Sequence, residues 1–332
     1  MLIPVRNEAG NILELLSDLE KQTLPIENFE VWVINDASTD ETAQLVFDFT
    51  KGTRLNLFLI NLEETERNHS PKKRAITQAI TQVNGEIIVT TDGDCRVGPD
   101  WLLSIAQFFE VQKPVFVSAP VLFLSRPKSG FWSDLWTEIQ QIEFASLIVS
   151  GAVSMKMGFA NMCSGANIAY LKSAFEEVNG FAGNEHLASG DDEFLMHKMV
   201  KAFPGRVKYL KSERAAVKTY PQESLKSFFH QRKRWAGKWS SYELQSPKVM
   251  AIFIFFANAS WIYAVFAGNW LLFFSKLWPE FLFLGTAILI YRRIALFFTI
   301  PFVQLIYPFY VVFFGLTSLG KRSFIWKNRD LS

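Results

Sequence analysis

The sequence predicts an α/β domain with a mostly parallel sheet, continued by C-terminal transmembrane helices. Strand-like and helix-like stretches alternate from Leu2 to Ala119, the order that builds parallel strands joined by helical crossovers. Two of the strand-like stretches end abruptly on carboxylates. Two charge-free apolar runs, Val249–Phe274 and Ile294–Gly320, follow only after that domain. Each exceeds the ~20 residues a helix needs to cross a hydrocarbon core.

Leu2-Ile3-Pro4-Val5 reads as a short strand running into Arg6-Asn7-Glu8, after which Ile12, Leu15, Leu16 and Leu19 recur at helical spacing. Glu30–Ile34 is a second strand that ends at Asn35-Asp36. Ser38 with Glu41 forms a capping-box pattern, predicting a helix whose buried face carries Leu45, Val46 and Phe49. Leu57–Ile60 is a third strand, Lys72–Val83 a helix and Glu86–Thr90 a fourth strand. A helix over Trp101–Gln112 and a strand over Val115–Ala119 continue the alternation. Ser133–Ser150 then carries a broad aromatic and aliphatic stripe with few charges. That stripe fits either a core-facing helix or one lying at a membrane interface.

Composition bounds the organisation. Of 332 residues, 49% are hydrophobic and 32 are Phe, an excess concentrated late in the chain. The expected division is a head over 1–245, a membrane region of two or three segments over 249–320 and a basic tail over 321–332. Phe281–Tyr291 is a middle apolar run, short enough to read as re-entrant or tilted. Lys226, Arg232, Lys233, Arg234, Lys238 and Lys248 crowd the approach to the first membrane run, which predicts a multi-pass membrane protein with its head in the cytoplasm. A net charge of +2 gives no sign of a nucleic-acid partner. Two cysteines, Cys95 and Cys163, make no disulfide framework or zinc spacing, and four scattered histidines do not suggest a His-based metal site. No secretory leader is read at the start, where the first strand begins at Leu2 within a turn of the first loop.

The residues suited to chemistry lie at strand ends and helix starts. In an open α/β sheet ligands bind beyond the carboxyl ends of the strands, where Asp36 and the Asp92-Gly93-Asp94 turn fall. Hard Mg²⁺ or Mn²⁺ held by such carboxylates neutralises a departing pyrophosphate. Lys72 and Lys73 open a helix after Ser70-Pro71; helix-dipole logic disfavours cations there, so something anionic is expected nearby. Asp191-Asp192-Glu193 precede an apolar helix and exceed what a helix cap requires, so one of them can take a proton from a hydroxyl. Gln231, Arg234 and Trp235 stand at i, i+3 and i+4, on one helical face. Arg232 and Lys233 point elsewhere, where a basic juxtamembrane helix would meet anionic lipid.

The ordered set Ile3-Pro4-Val5-Arg6-Asn7-Glu8, Asn35-Asp36-Ala37-Ser38-Thr39-Asp40, Asp92-Gly93-Asp94, Gly165-Ala166-Asn167, Gly190-Asp191-Asp192 and Gln231-x-x-Arg234-Trp235 resembles glycosyltransferase family 2. The likeness covers roughly residues 1–240 and is closest in kind to the membrane-bound branch of cellulose, chitin and hyaluronan synthases and ceramide glucosyltransferase. The resemblance implies a GT-A fold, a nucleotide-diphospho-sugar donor, a divalent metal and inversion at the anomeric carbon. Residue by residue, it implies that Asp36 contacts the nucleotide base, Lys72 the nucleotide, Asp92 the ribose side and Arg234 the diphosphate. Asp94, with Asp92, would hold the metal. Asp192 matches the general base, with Asp191 beside it, and Gln231, Trp235 and Asn167 match sugar or acceptor contacts. Two departures stand out: Pro71 replaces a common Gly, and the base motif reads Gly-Asp-Asp rather than Thr-Glu-Asp.

The expected activity is therefore transfer of a sugar, from a UDP-sugar foremost, to a lipid-linked or polysaccharide acceptor at the cell membrane. In the single displacement that the resemblance implies, Arg234 and the metal stabilise the diphosphate while Asp192 deprotonates the acceptor. A processive polysaccharide synthase subunit is the nearest rival, but the tail offers few helices to enclose a polymer. A nucleotidyltransferase lacks its Gly-rich loop here, and a non-catalytic membrane partner would not need the acidic and Gln-Arg-Trp motifs. Either the middle segment fails to cross or the last apolar segment bends back at Pro301 and Pro308; both leave a cytoplasmic C-terminus.

Overall fold

The computed structural model describes residues 1–64, 70–125, 130–185, 187, 189–238, 241–318, 324–326 and 329–331. Most of the basic tail expected over 321–332, including Lys321, Arg322 and Lys327, lies outside the described residues. The chain forms two compact units. The first takes Met1–Val121, Ala152–Thr219 and Ile325–Ser332, and the second Leu122–Gly151 and Tyr220–Phe324.

The first unit begins as the periodicity predicts, with β1 (Leu2–Val5), α1 (Ile12–Glu20), β2 (Val31–Asp36), α2 (Thr42–Thr50), β3 (Leu57–Leu62), α3 (Pro71–Ile80) and β4 (Ile87–Thr90). A short β5 (Arg96–Val97), α4 (Trp101–Gln112) and β6 (Phe116–Ser118) follow. The chain leaves this unit through β7 (Val121–Phe123) and returns along α5 (Phe131–Lys156). It then adds β8 (Ile168–Leu171), α6 (Lys172–Glu177), α7 (Asp191–Ala202), β9 (Val207–Tyr209) and β10 (Val217–Thr219).

Seven strands form one sheet in the order β3-β2-β1-β4-β8-β6-β9. β3, β2, β1 and β4 run parallel, β8 is antiparallel to both its neighbours, and β9 is parallel to β6. Every residue of β2 is buried, as expected for a parallel strand covered on both faces. α1 turns Ile12, Leu15, Leu16 and Leu19 inward, the stripe read from the sequence. One core cluster joins Leu2, Ile34, Ala75, Ile76, Ile88, Phe116, Tyr170, Leu195 and Met196. Because β1, β2 and β4 are parallel, the loops after all three emerge at the same edge of the sheet. The capping box expected at Ser38 does not form. α2 starts at Thr42, and Ser38 Oγ instead accepts from the Asn7 N–H at 3.0 Å, so a contact between loops outcompetes the local cap.

The second unit is helical: the first part of α5, then α8 (Leu225–Ala236), α9 (Gln245–Ala267), α10 (Trp270–Ile290), a 3-10 turn over Ile294–Thr299 and α11 (Ile300–Thr317). Three stretches, Gln245–Ala267, Trp270–Ile290 and Ile294–Thr317, are long and apolar enough to cross a membrane. The sequence reading of the middle segment is corrected here. The first helix stops at Ala267, where Gly268 adopts a left-handed φ of 64° that suits glycine, and α10 then runs for 21 residues instead of the short Phe281–Tyr291 stretch. Its two charges cancel within the helix: Lys276 and Glu280 pair at 2.8 Å, and the Gln304 amide donates to the Leu277 carbonyl at 2.7 Å. Counting charge-free residues missed a span whose charges satisfy each other. α11 also continues through Pro308, while Pro301 sits at its start, where no amide hydrogen is needed. Ile142 of α5 shares a core with Leu284, Ile288, Leu296, Ile300 and Val303.

Candidate active site

The first two loops at the sheet edge are built as a single polar lattice. Arg6, buried after β1, donates through Nη1 to the carbonyls of Asp36 (2.7 Å) and Ala37 (2.8 Å). The Glu8 N–H donates to Thr42 Oγ1 at 2.8 Å, and the Thr39 N–H to Asn7 Oδ1 at 2.8 Å. Asn35 completes the lattice by donating to Asn61 at the end of β3. Asp36 is thereby buried at the end of β2 with its backbone fixed. Sequence reasoning noticed Arg6 only as part of a motif. Its role in holding the Asp36 turn needed the three-dimensional pairing of β1 with β2.

A second cluster forms where β4 ends. Lys72, at the start of α3, reaches Asp92 Oδ1 at 2.6 Å and Asp191 Oδ2 at 3.3 Å. The anion expected near the helix-opening lysine is thus present twice. Asp192 turns the other way: Oδ2 accepts from the Gly165 N–H at 2.7 Å and Oδ1 from the Glu193 N–H at 2.8 Å. Gly165 runs so close that a Cβ there would lie 3.1 Å from Lys72 Nζ and 3.2 Å from Asp191 Oδ2, so a larger residue would push both side-chain tips aside by a few tenths of an ångström. Burial raises the Asp191 carboxyl above the ordinary carboxylate range; the Lys72 ammonium opposes that shift, and the charges of Asp192 and Asp92 add to it. Lys72 is held charged, because the carboxylates of Asp191 and Asp92 outweigh the cost of its burial.

Asp92, Asp94 and Cys95 offer ligand atoms within 4.8 Å of one another. The Cys95 thiol is held protonated, first by burial and then by the neighbouring carboxylates, so the donors available are carboxylate oxygens. That set fits a hard divalent cation such as Mg²⁺ or Mn²⁺ better than a thiophilic metal.

Two neighbouring lysines divide their work. Lys73, the next residue along α3, is buried, donates to the carbonyls of Asn184 (2.6 Å) and Leu187 (3.0 Å), and lies 5.0 Å from the Phe194 ring. It ties down the loop that precedes Asp191 and Asp192, a task the sequence did not suggest. Asn167, expected among the sugar contacts, lies in the interior. It is fully buried; Nδ2 donates to the carbonyls of Pro120 (2.7 Å) and Ala215 (2.8 Å), and Oδ1 accepts from Trp101 Nε1 (3.0 Å). With its amide spent on three interior partners, Asn167 ties together Pro120, Ala215 and Trp101.

In the second unit, α8 carries Gln231, Arg234 and Trp235, all partly exposed. The helix opens on a capping box between Ser224 and Ser227. Arg232 corrects the sequence reading. It is buried rather than turned to lipid, because it pairs with Glu143 of α5 and lies between the rings of Phe228 and Trp235.

The model of glycosyl transferase family 2 matches residues 1–178, more than half of the chain. The chain belongs to glycosyl transferase family 2. Among curated relatives, this family-2 chain is 24% identical over 279 residues to the poly-beta-1,6-N-acetyl-D-glucosamine synthase of Staphylococcus epidermidis, covering 80% of itself and 62% of that protein. It is 27% identical over 151 residues to the beta-monoglucosyldiacylglycerol synthase of a Nostoc species, covering 42% of itself and 31% of that protein. The chain therefore spans less than two thirds of the length of these relatives. Among solved structures, it resembles a mannosyltransferase of Pyrobaculum calidifontis determined with GDP-Man and Mn²⁺. The TM-score is 0.51 at 24% identity, with 71% of this chain and 60% of that one covered. That likeness concerns the fold, and the first unit is accordingly GT-A.

Proposed function

We propose that this family-2 chain is a membrane-anchored inverting glycosyltransferase that moves a sugar from a nucleotide-diphospho-sugar to a lipid-linked or polysaccharide acceptor. The observation that carries the reading is the meeting of Lys72, Asp92 and Asp191 within ion-pair distance at the carboxyl end of β4. A carboxylate just past a strand and one at a helix start, bridged by one cation, suit a ligand that brings phosphate charge of its own.

In this reading Asp36 meets the nucleotide base, Asp92 the ribose side and Lys72 the nucleotide. A hard divalent cation held by Asp94 and Asp92 supplies charge neutralisation for the departing diphosphate when it is bound. Asp192 removes the acceptor proton. The N–H groups of Gly165 and Glu193 hold the two oxygens of its carboxylate and so fix the direction in which it points. Asp191 stays against Lys72 and sets the local charge. A single displacement with inversion is what the family resemblance implies. On the family resemblance, Gln231 and Trp235 take sugar contacts and Arg234 the diphosphate.

The relatives are, by name, a polysaccharide synthase and a glycolipid synthase, which supports an acceptor at the membrane. Lys226, Lys233, Lys238 and Lys248 flank the first apolar helix and support a cytoplasmic head. The test is release of nucleoside diphosphate by the purified full chain from UDP-glucose, UDP-N-acetylglucosamine and GDP-mannose, with and without Mg²⁺ or Mn²⁺. No release from any of the three under either metal rejects the reading.

A further inference from the structure

Arg232 is the one buried charged residue of α8, yet it lies inside the stretch that carries Gln231 and Trp235. Its guanidinium is fully engaged. Nε donates to Glu143 Oε1 at 3.2 Å, Nη2 to Glu143 Oε2, and Nη1 to the side-chain carbonyl of Gln231. The Tyr310 hydroxyl of α11 donates to the same Glu143 Oε1 at 3.2 Å. The guanidinium carbon lies 4.4 Å from the Phe228 ring centre and 4.3 Å from that of Trp235. One side chain thus touches two of the three residues on the neighbouring face.

We infer that Arg232, anchored by Glu143 and Tyr310, is the positioning residue for Gln231 and Trp235, and fixes which group each offers to the sugar nucleotide. This rests on the transferase reading above. A guanidinium carries only donors, so the Gln231 amide must turn its oxygen toward Arg232 and present its NH₂. Gln231 is then a hydrogen-bond donor, selecting a hydroxyl, carbonyl or phosphate oxygen on its ligand. The cation over Trp235 fixes the indole plane and covers one of its faces. A buried ion pair adds little net stability relative to apolar packing, so its contribution here is geometry. Arginine is required because its fork serves Glu143 and Gln231 at once; lysine offers a single point charge.

The test uses the full chain in detergent, with nucleoside diphosphate release from whichever of UDP-glucose, UDP-N-acetylglucosamine and GDP-mannose the wild type turns over. Gln231→Ala, Arg232→Lys and the double variant are compared, with thermal unfolding recorded for each. Arg232→Lys should remain folded and lose roughly 10- to 100-fold in kcat/KM, as expected when a charged hydrogen bond is lost. In the double variant the loss should fall well short of the product of the two single losses, because Arg232 acts through Gln231. If Arg232→Lys does not fold, Tyr310→Phe takes its place, and its smaller loss should likewise disappear on the Gln231→Ala background. Losses that multiply, or an Arg232→Lys enzyme as active as wild type, overturn the inference alone. A wild type that turns over none of the three donors overturns the transferase reading and this inference with it.

Discussion

Two clusters of opposite charge in this chain use similar side chains to different ends. At the edge of the sheet, Lys72 is shared between Asp92 and Asp191, and the Asp92 side chain is 40% exposed. In the helical unit, Arg232 and Glu143 are 1% and 6% exposed and enclosed by aromatic rings. The half-wet cluster can exchange partners with an incoming charged ligand, since water can cover whichever group is released. The dry pair cannot, because a lone charge there would be stranded. Exposure, more than residue type, separates a pair that can act from one that holds its surroundings in place.

The sharpest break of that contrast is in catalysis. Asp192→Asn should keep the fold and lose roughly 10²- to 10⁴-fold in turnover, the range for removal of a general base. Steady-state nucleotide release measures it, and an inactive Asp191→Asn beside an active Asp192→Asn would shift the base by one residue. On the dry side, Glu143→Ala leaves Arg232 unpaired in the interior and should destabilise the protein by about 3–5 kcal/mol, read from thermal or denaturant unfolding of the detergent-solubilised chain.

Smaller effects sharpen the comparison. Asn167→Ala removes an amide with three interior partners and should cost about 1–3 kcal/mol, again by unfolding. Lys72→Met should weaken binding of the sugar nucleotide in a direct titration, because it removes the cation shared by Asp92 and Asp191. Asp191 supplies the pH test. Its folded-state pKa is raised by burial, with Lys72 opposing and Asp192 and Asp92 adding. The stability it contributes is complete below the ordinary carboxylate range and is lost as pH rises through the raised value. Asp191→Asn lacks that loss, so its melting temperature should decline less than that of wild type above the ordinary carboxylate range.

Much of the sheet-edge site was legible in the sequence because a parallel strand reports its own end. β2 and β4 are short apolar runs that stop on Asp36 and Asp92, and parallel pairing then brings those ends to one edge. The second unit was harder to read. The sequence put the division near 245–249, where the charge-free run begins, whereas Leu122–Gly151 and the whole of α8 group with the apolar helices. Packing of Phe228 and Phe229 against Tyr310 and Phe314 joins segments remote in sequence, and no local period encodes that.

By itself, the sequence determined the alternation of strand and helix, the carboxylates at the strand ends, the family and the presence of long apolar helices. Each of these depends on neighbours along the chain or on a fixed order of motifs. Only the tertiary structure decided that Lys72 bridges two carboxylates, that Lys73 clamps a loop, that Asn167 is a brace and that Arg232 faces Glu143. It also decided that α10 is a full-length helix, since Lys276 and Glu280 neutralise each other on the same turn and Gln304 adds a bond from α11. The direction in which a polar side chain points, and what neutralises it, depends on partners tens of residues away. Composition and periodicity carry no record of those partners.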